Sequence, residues 1–238
     1  MILEVKNISK TFGGLIAIND LDLTVDEGEI VGLIGPNGSG KTTLFNLISG
    51  ALKPDKGEVK FNERDITGLK PHKICQDGIA RTFQLTKPFA EMTVLQNVMV
   101  GKMYGRAPVM GMRQAEEECG RILEFVGLAR KSFWGAEALG MVDRKKLEIA
   151  RALATNPKLL LLDEVMSGLT PTEMEEALKL VKAIGDSGVT LIVVEHVMKA
   201  ILDISSRLIV LNYGEKIAEG VPGEVVHDQK VIEAYLGD

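Results

Sequence analysis

The chain has 238 residues, 45% of them hydrophobic and 26% charged, enough apolar mass to bury the core of one or two globular domains. Lys and Arg number 28 against 33 Asp and Glu, a formal charge of -5, which gives no general hold on a polyanion and argues against a nucleic-acid partner. The cysteines, Cys75 and Cys119, lie far apart and match no metal spacing, as expected of buried thiols in a reducing compartment. No run reaches the ~18 apolar residues of a membrane span, and "MILEVKNIS" at the start reads as a strand without the layout of a leader peptide. A cytoplasmic location is expected.

In chain order, "ILEVKNI", "IAINDLDLTV" and "GEVKFN" alternate apolar and polar residues, the pattern of half-exposed antiparallel strands. "EIVGLIG" (29–35), "KLLLLD" (158–163) and "VTLIVVE" (189–195) are apolar almost throughout, as strands covered by helices on both faces are. Between about 85 and 154 strand signals fade. There "RQAEEECGRILEFVGL" (113–128) sets Cys119, Ile122, Leu123 and Val126 at helical spacing, and "GKMYGRAPVMGMR" (101–113) reads as a loop. The expected fold is α/β, a core of residues 1–84 and 155–238 carrying an N-terminal antiparallel sheet, with 85–154 as a helical insertion.

"GPNGSGKTT" (35–43) fits the phosphate-binding loop Gly-x4-Gly-Lys-Ser/Thr through Gly35, Gly40, Lys41 and Thr42. It follows an apolar strand and opens the helix "TTLFNLISG", with Gly50 as its left-handed stop. Glycines let backbone N–H groups curl around an anion, the helix start adds partial positive charge, and the lysine adds a full one. The nucleotide-binding set is therefore Gly35, Pro36, Asn37, Gly38, Ser39, Gly40, Lys41, Thr42 and Thr43. At the end of the buried "LLLLDE" strand, Asp163 and Glu164 share the crevice beyond the carboxyl ends of a doubly wound sheet. Thr42 and Asp163 suit Mg²⁺, and Glu164 suits the activation of water against a γ-phosphate.

With these motifs in this order, the chain resembles the ATP-binding subunits of ATP-binding-cassette (ABC) transporters over nearly its whole length: a P-loop ATPase fold. The resemblance implies ATP and Mg²⁺ as cofactors. It makes Gln84, in "RTFQLTKPF", the glutamine that touches Mg²⁺ or the attacking water and couples to a membrane partner. His196, after "LIVVE", becomes the histidine at the γ-phosphate, and Phe12, in "SKTFGG", the aromatic stacked on adenine. On residue chemistry alone, Phe12 also fits strand-end packing, His196 a helix cap, and Gln84 a loop hydrogen bond. "GIARTFQ" (78–84), "EMTVLQNVMVG" (91–101), "LEIARALATNPKLLLLDEVMSGL" (147–169) and "VVEHVMKAIL" (193–202) resemble the branched-chain amino acid uptake branch, with its amide and urea importers.

The family's signature, Leu-Ser-Gly-Gly-Gln, should precede "RKKLEIARAL"; here it is Leu139, Gly140, Met141, Val142 and Asp143. A hydroxyl is missing, a β-branched side chain stands where backbone approaches phosphate closely, and a carboxylate stands near a polyanion. Asp143 reads well as the N-cap of the next helix. Thr170 replaces the Asp or Asn usual in the dimer-contact loop, while Thr170, Pro171 and Glu173 form a capping box. The resemblance implies a second cassette, in a heterodimer by preference over a homodimer, membrane permease subunits, an extracytoplasmic solute-binding protein, and a peripheral place on the inner membrane face. An intact P-loop with a degenerate signature predicts unequal sites in such a dimer. The alternatives are a non-transport ABC-type switch or scaffold with weak hydrolysis, which the signature favours, and a nucleotide kinase, which the lack of an arginine-rich lid disfavours.

Overall fold

The computed structural model describes residues 1–84 and 87–236. Leu3–Phe12 (β1) and Leu15–Val25 (β2) form a hairpin, joined by Lys56–Phe61 (β4) and Arg64–Asp65 (β5) into an antiparallel sheet of order β2-β1-β4-β5. Ile30–Ile34 (β3), Ile79–Arg81 (β6), Leu159–Asp163 (β7), Thr190–Val194 (β8), Arg207–Asn212 (β9) and Glu215–Gly220 (β10) form the second, of order β10-β9-β3-β8-β7-β6. All its pairings are parallel except β10 with β9.

The apolar strands are buried on both faces, as their composition requires. Leu159 and Leu161 of β7 join Val31, Leu33 and Ile192 in a core roofed by the antiparallel sheet. Leu160 and Leu162 join Ile34, Val193 and Leu208 in a core on the opposite face. The first core is closed by Lys41–Ile48 (α1), which buries Leu44, Phe45, Leu47 and Ile48. It ends at Gly50, whose φ of 72° and close contact with the Leu69 carbonyl exclude any side chain. Pro71–Asp77 (α2) leads into β6.

The opposite core runs without a break into the helical insertion of Val94–Tyr104 (α3), Met112–Phe125 (α4) and Met141–Ala154 (α5). The helix α4 buries Cys119 and Leu123 as its spacing predicts, together with Ala115. The stretch 101–113 is not the single loop expected of it. Its ends belong to α3 and α4, leaving 105–111 between them. Gly101 lies inside α3 because a Cβ there would stand 2.5 Å from the Arg151 carbonyl, so this glycine lets two helices approach closely and does not break one.

The remaining helices are Pro171–Asp186 (α6), Met198–Ile204 (α7), Pro222–Val225 (α8) and Gln229–Leu236 (α9). The α6 capping box forms as read: Thr170 and Glu173 satisfy each other's backbone amides. Among the described residues no helix is long and apolar enough to cross a membrane.

Candidate nucleotide site

The turn after β3 carries Gly35, Gly38 and Gly40 at φ of 149°, 80° and 107°, backbone that side-chain-bearing residues rarely adopt. At Gly40 space is also limiting, since a Cβ would stand 2.7 Å from the Ala17 carbonyl. Gly40 is the N-cap of α1 and supplies no side-chain cap, so the first-turn N–H groups are left for an anion. Lys41 Nζ donates to Gly35 O at 2.7 Å and Pro36 O at 2.9 Å. Burial lowers the ammonium's pKa, while Glu164 and Asp163 pull it back up. A cavity of about 290 Å³ is lined by Phe12, Asn37 to Thr43, Glu164 and His196. Phe12 ends β1 with 45% of its surface exposed, which sets aside strand-end packing and leaves a partly exposed ring at the cavity, with the Lys10 ammonium 5.7 Å from its centroid. Leu15 and Ile16 extend that exposed apolar edge; the alternating strand pattern did not mark them.

Glu164 follows β7 in a left-handed conformation, φ 51°, a costly one for a non-glycine residue and typical of functional sites. Its backbone N–H is held by Val194 O at 2.9 Å. Its carboxylate accepts from Gln84 Nε2 at 2.7 Å and lies 2.6 Å from His196 Nε2. The fold thus brings Gln84, Glu164 and His196 onto one carboxylate across separations of 80 and 32 residues. His196 caps nothing; the N-cap of α7 is Val197.

Asp163 is buried and paired with Arg81, whose Nη2 donates to Oδ2 at 2.8 Å. Arg81 also donates to Asn46 at 2.6 Å and lies against the rings of Phe45 and Phe83. The side chains of Thr42, Gln84 and Asp163 share a recess of about 500 Å³ with Arg81. A hydroxyl, an amide carbonyl and a carboxylate are the hard oxygen donors Mg²⁺ prefers, so the residues fit that ion. Among the described residues no cluster of three or more His, Cys, Asp and Glu forms a protein-only cage, and nucleotide phosphates would have to complete the shell.

The comparisons agree with this geometry. A family described as "ABC transporter" matches residues 18–167, and one described as "Branched-chain amino acid ATP-binding cassette transporter" matches residues 215–238. The chain belongs to the ABC transporter family of ATP-binding subunits. It is 37% identical to the high-affinity branched-chain amino acid transport ATP-binding protein BraF of Pseudomonas aeruginosa, the match covering 100% of this chain and 98% of that one. It is 39% identical to the probable branched-chain amino acid transport ATP-binding protein LivG of Archaeoglobus fulgidus, covering 99% and 95%. Among solved structures, a nucleotide-free ATP-binding cassette from an ABC transporter superposes with a TM-score of 0.89 at 35% identity, covering 100% of this chain and 99% of that one. An ADP-bound cassette gives 0.88 at 35% identity, with the same coverage. This cassette is therefore a nucleotide-binding ATPase of the transport-coupled type.

The cassette's signature segment departs from its sequence reading in one respect. Asp143 is not the N-cap of α5: Gly140 is, with no side-chain cap. Asp143 sits in the first helical turn, paired with Lys131, a residue twelve positions away that spacing does not signal. Leu139 is buried, and Arg144 holds the approach to the helix by donating to Leu139 O and Glu137 O, both at 2.8 Å. Three residues along or near α5 also went unnoticed in sequence. Glu148 accepts from the Phe83 amide, Lys145 donates to the Ser167 and Glu164 carbonyls, and buried Glu195 accepts from Met166 N at 2.7 Å.

Proposed function

We propose that this cassette hydrolyses ATP to drive uptake of branched-chain amino acids or related small solutes through membrane permeases. The observation that carries the reading is the Glu164 carboxylate, held between Gln84 and His196 at the rim of the P-loop cavity. The named substrates of the matching relatives, full-length at 37–39% identity, support the solute class and favour transport over a free-standing switch.

In this reading the P-loop N–H groups and Lys41 bind the phosphates, and Phe12 stacks on adenine. Thr42, Asp163 and Gln84 would hold Mg²⁺, which when bound neutralises charge on the phosphates. A water on Glu164 loses its proton to the carboxylate as its oxygen attacks the γ-phosphorus, and ADP leaves with the bridging electron pair. His196 orients the same carboxylate and faces the γ-phosphate. Division of labour follows the chain: 1–84 and 155–238 build this site, 85–154 presents the signature, and the two parts together form the membrane-facing cleft. That cleft, about 310 Å³, is lined by Ala51, Cys75, Phe83, Val100, Arg151 and Thr155 and suits an apolar permease helix. The chain would sit on the inner membrane face, paired with a second cassette whose signature is intact, and a solute-binding protein would deliver the cargo.

Co-expression with candidate branched-chain amino acid permease subunits from the same organism, followed by reconstitution, tests the proposal. ATP-driven uptake of labelled leucine or a small amide, abolished by Glu164→Gln, is expected. A reconstituted complex that hydrolyses ATP but moves no such solute overturns the solute assignment, and failure to assemble with any permease overturns transport.

A further inference from the structure

Three segments meet behind Glu164. From α5, Lys145 Nζ donates to Glu164 O at 3.1 Å and Ser167 O at 2.6 Å. From the end of β8, Glu195, only 4% exposed, accepts the Met166 amide at 2.7 Å. Between them, residues 164–167 make the turn that begins with Glu164 at φ 51°. We propose that half-buried Lys145 and buried Glu195 form a clamp on this turn that keeps the Glu164 carboxylate aimed between Gln84 and His196. Both are positioning residues, since neither lines the nucleotide cavity.

The left-handed turn needs such support. Strained backbone persists only where its surroundings over-determine it, and here the amide of Met166 is tied to the end of β8 while the carbonyls of Glu164 and Ser167 are both tied to α5 through Lys145. The charges that act on Glu195 are the ammonium of Lys145 from α5 and the carboxylate of Glu164 from the end of β7; the Met166 and His196 amides face it as donors. Burial outweighs the lowering influences of those amides and Lys145 and pushes the Glu195 carboxyl up to about 7. Its attraction for Lys145 therefore switches on as pH rises through neutrality. Because Lys145 lies on the helix that begins at the signature, the clamp also ties this chain's own catalytic turn to the segment offered to a partner cassette.

The inference rests on Glu164 activating the water, so Glu164→Gln is the reference. The experiment measures single-turnover ATP hydrolysis and ATP affinity of the full chain from pH 6 to pH 8.5, for the native protein, Glu195→Gln, Lys145→Met and Glu164→Gln. Glu195→Gln keeps an acceptor for Met166 but cannot ionise. The clamp predicts that it matches native turnover within about twofold at pH 6 and falls about three- to tenfold behind at pH 8, with ATP affinity unchanged, as befits a lost charge-assisted contact. Lys145→Met should flatten the profile in the same way. A native-to-variant ratio independent of pH overturns the clamp, as does a loss of ATP affinity equal to the loss of turnover. Glu164→Gln with native turnover would instead overturn the catalytic reading itself. Glu195→Ala, folded or not under assay, is read by amide exchange: exchange more than about tenfold faster confined to residues 164–167 supports the clamp. Unchanged exchange there, or a loss of protection spread over the whole chain, overturns it.

Discussion

Residues 35–43 and 139–143 are both turns that open a helix, and each puts a glycine at the N-cap with no side-chain cap bond. They are nonetheless built for different degrees of phosphate contact. At Gly40 the backbone is left-handed, at φ 107°, the neighbouring glycines curl with it, and Lys41 brings its charge to the turn. At Gly140 the backbone is ordinary and extended, at φ −68° and ψ 170°. Met141 and Val142 follow, the Asp143 carboxylate is already taken by Lys131, and the Arg144 guanidinium is spent on the Leu139 and Glu137 carbonyls. A helix start alone supplies only partial charge; the curled glycines and the added cation make the first turn a cradle. The pairing with Lys131 also softens one expected defect of the proposed dimer, because the Asp143 carboxylate would meet a partner's nucleotide with its charge largely answered.

Four experiments break or sharpen this contrast. The largest effect should come from the intact half: Glu164→Gln is expected to lower turnover by about 10²–10⁴-fold, the worth of a positioned base, while ATP binding by filter or fluorescence assay stays native. Repair of the weak half is next. Gly140→Ser combined with Val142→Gly should raise steady-state hydrolysis of the self-paired chain by about ten- to a hundredfold, since a hydrogen bond to a charged group is worth about 1.5–3 kcal/mol; no gain would mean that the site is limited elsewhere. The third concerns the link between the halves. Glu195 has its carboxyl raised from 4.5 to about 7, so the favourable neutral form is complete at low pH and its contribution to stability is lost as pH rises through about 7. Glu195→Gln should escape that loss, and its advantage in chemical denaturation should grow from pH 5 to pH 8 by about 1–3 kcal/mol. The smallest is Lys131→Ala, which in the proposed dimer would expose the Asp143 charge to a partner's phosphates. With the pair partly exposed, a fall in dimer turnover of no more than about fivefold is expected, in keeping with the ~1 kcal/mol upper end for such pairs.

Strand type and the P-loop were legible because both are local. Leu159 to Leu162 declare a doubly covered strand by composition, and the glycine spacing of the P-loop encodes its own backbone. Residues whose meaning is set by distant partners were not legible. Arg81 reads as one cation in "GIARTFQ", yet it joins α1 and β7. Lys145 and Glu195 lie fifty positions apart in sequence, on elements that only the folded sheet brings to one turn. Two local rules also misled. Gly101 looked like a loop residue because glycine disfavours helices, but close packing on Arg151 outweighs that preference. Asp143 looked like a cap because of its type, whereas the helix had started two residues earlier.

The left-handed backbone of Glu164 sets the protein's stability against its chemistry at one codon. Glycine is the residue that adopts φ 51° without steric penalty, so Glu164→Gly is expected to relieve backbone strain of about 1 kcal/mol or more. The same change deletes the carboxylate on which Gln84 and His196 converge. A screen that rewards only thermal tolerance would therefore drift toward the inactive protein at this position, and directed evolution of this cassette needs turnover, not melting temperature, as its selected trait.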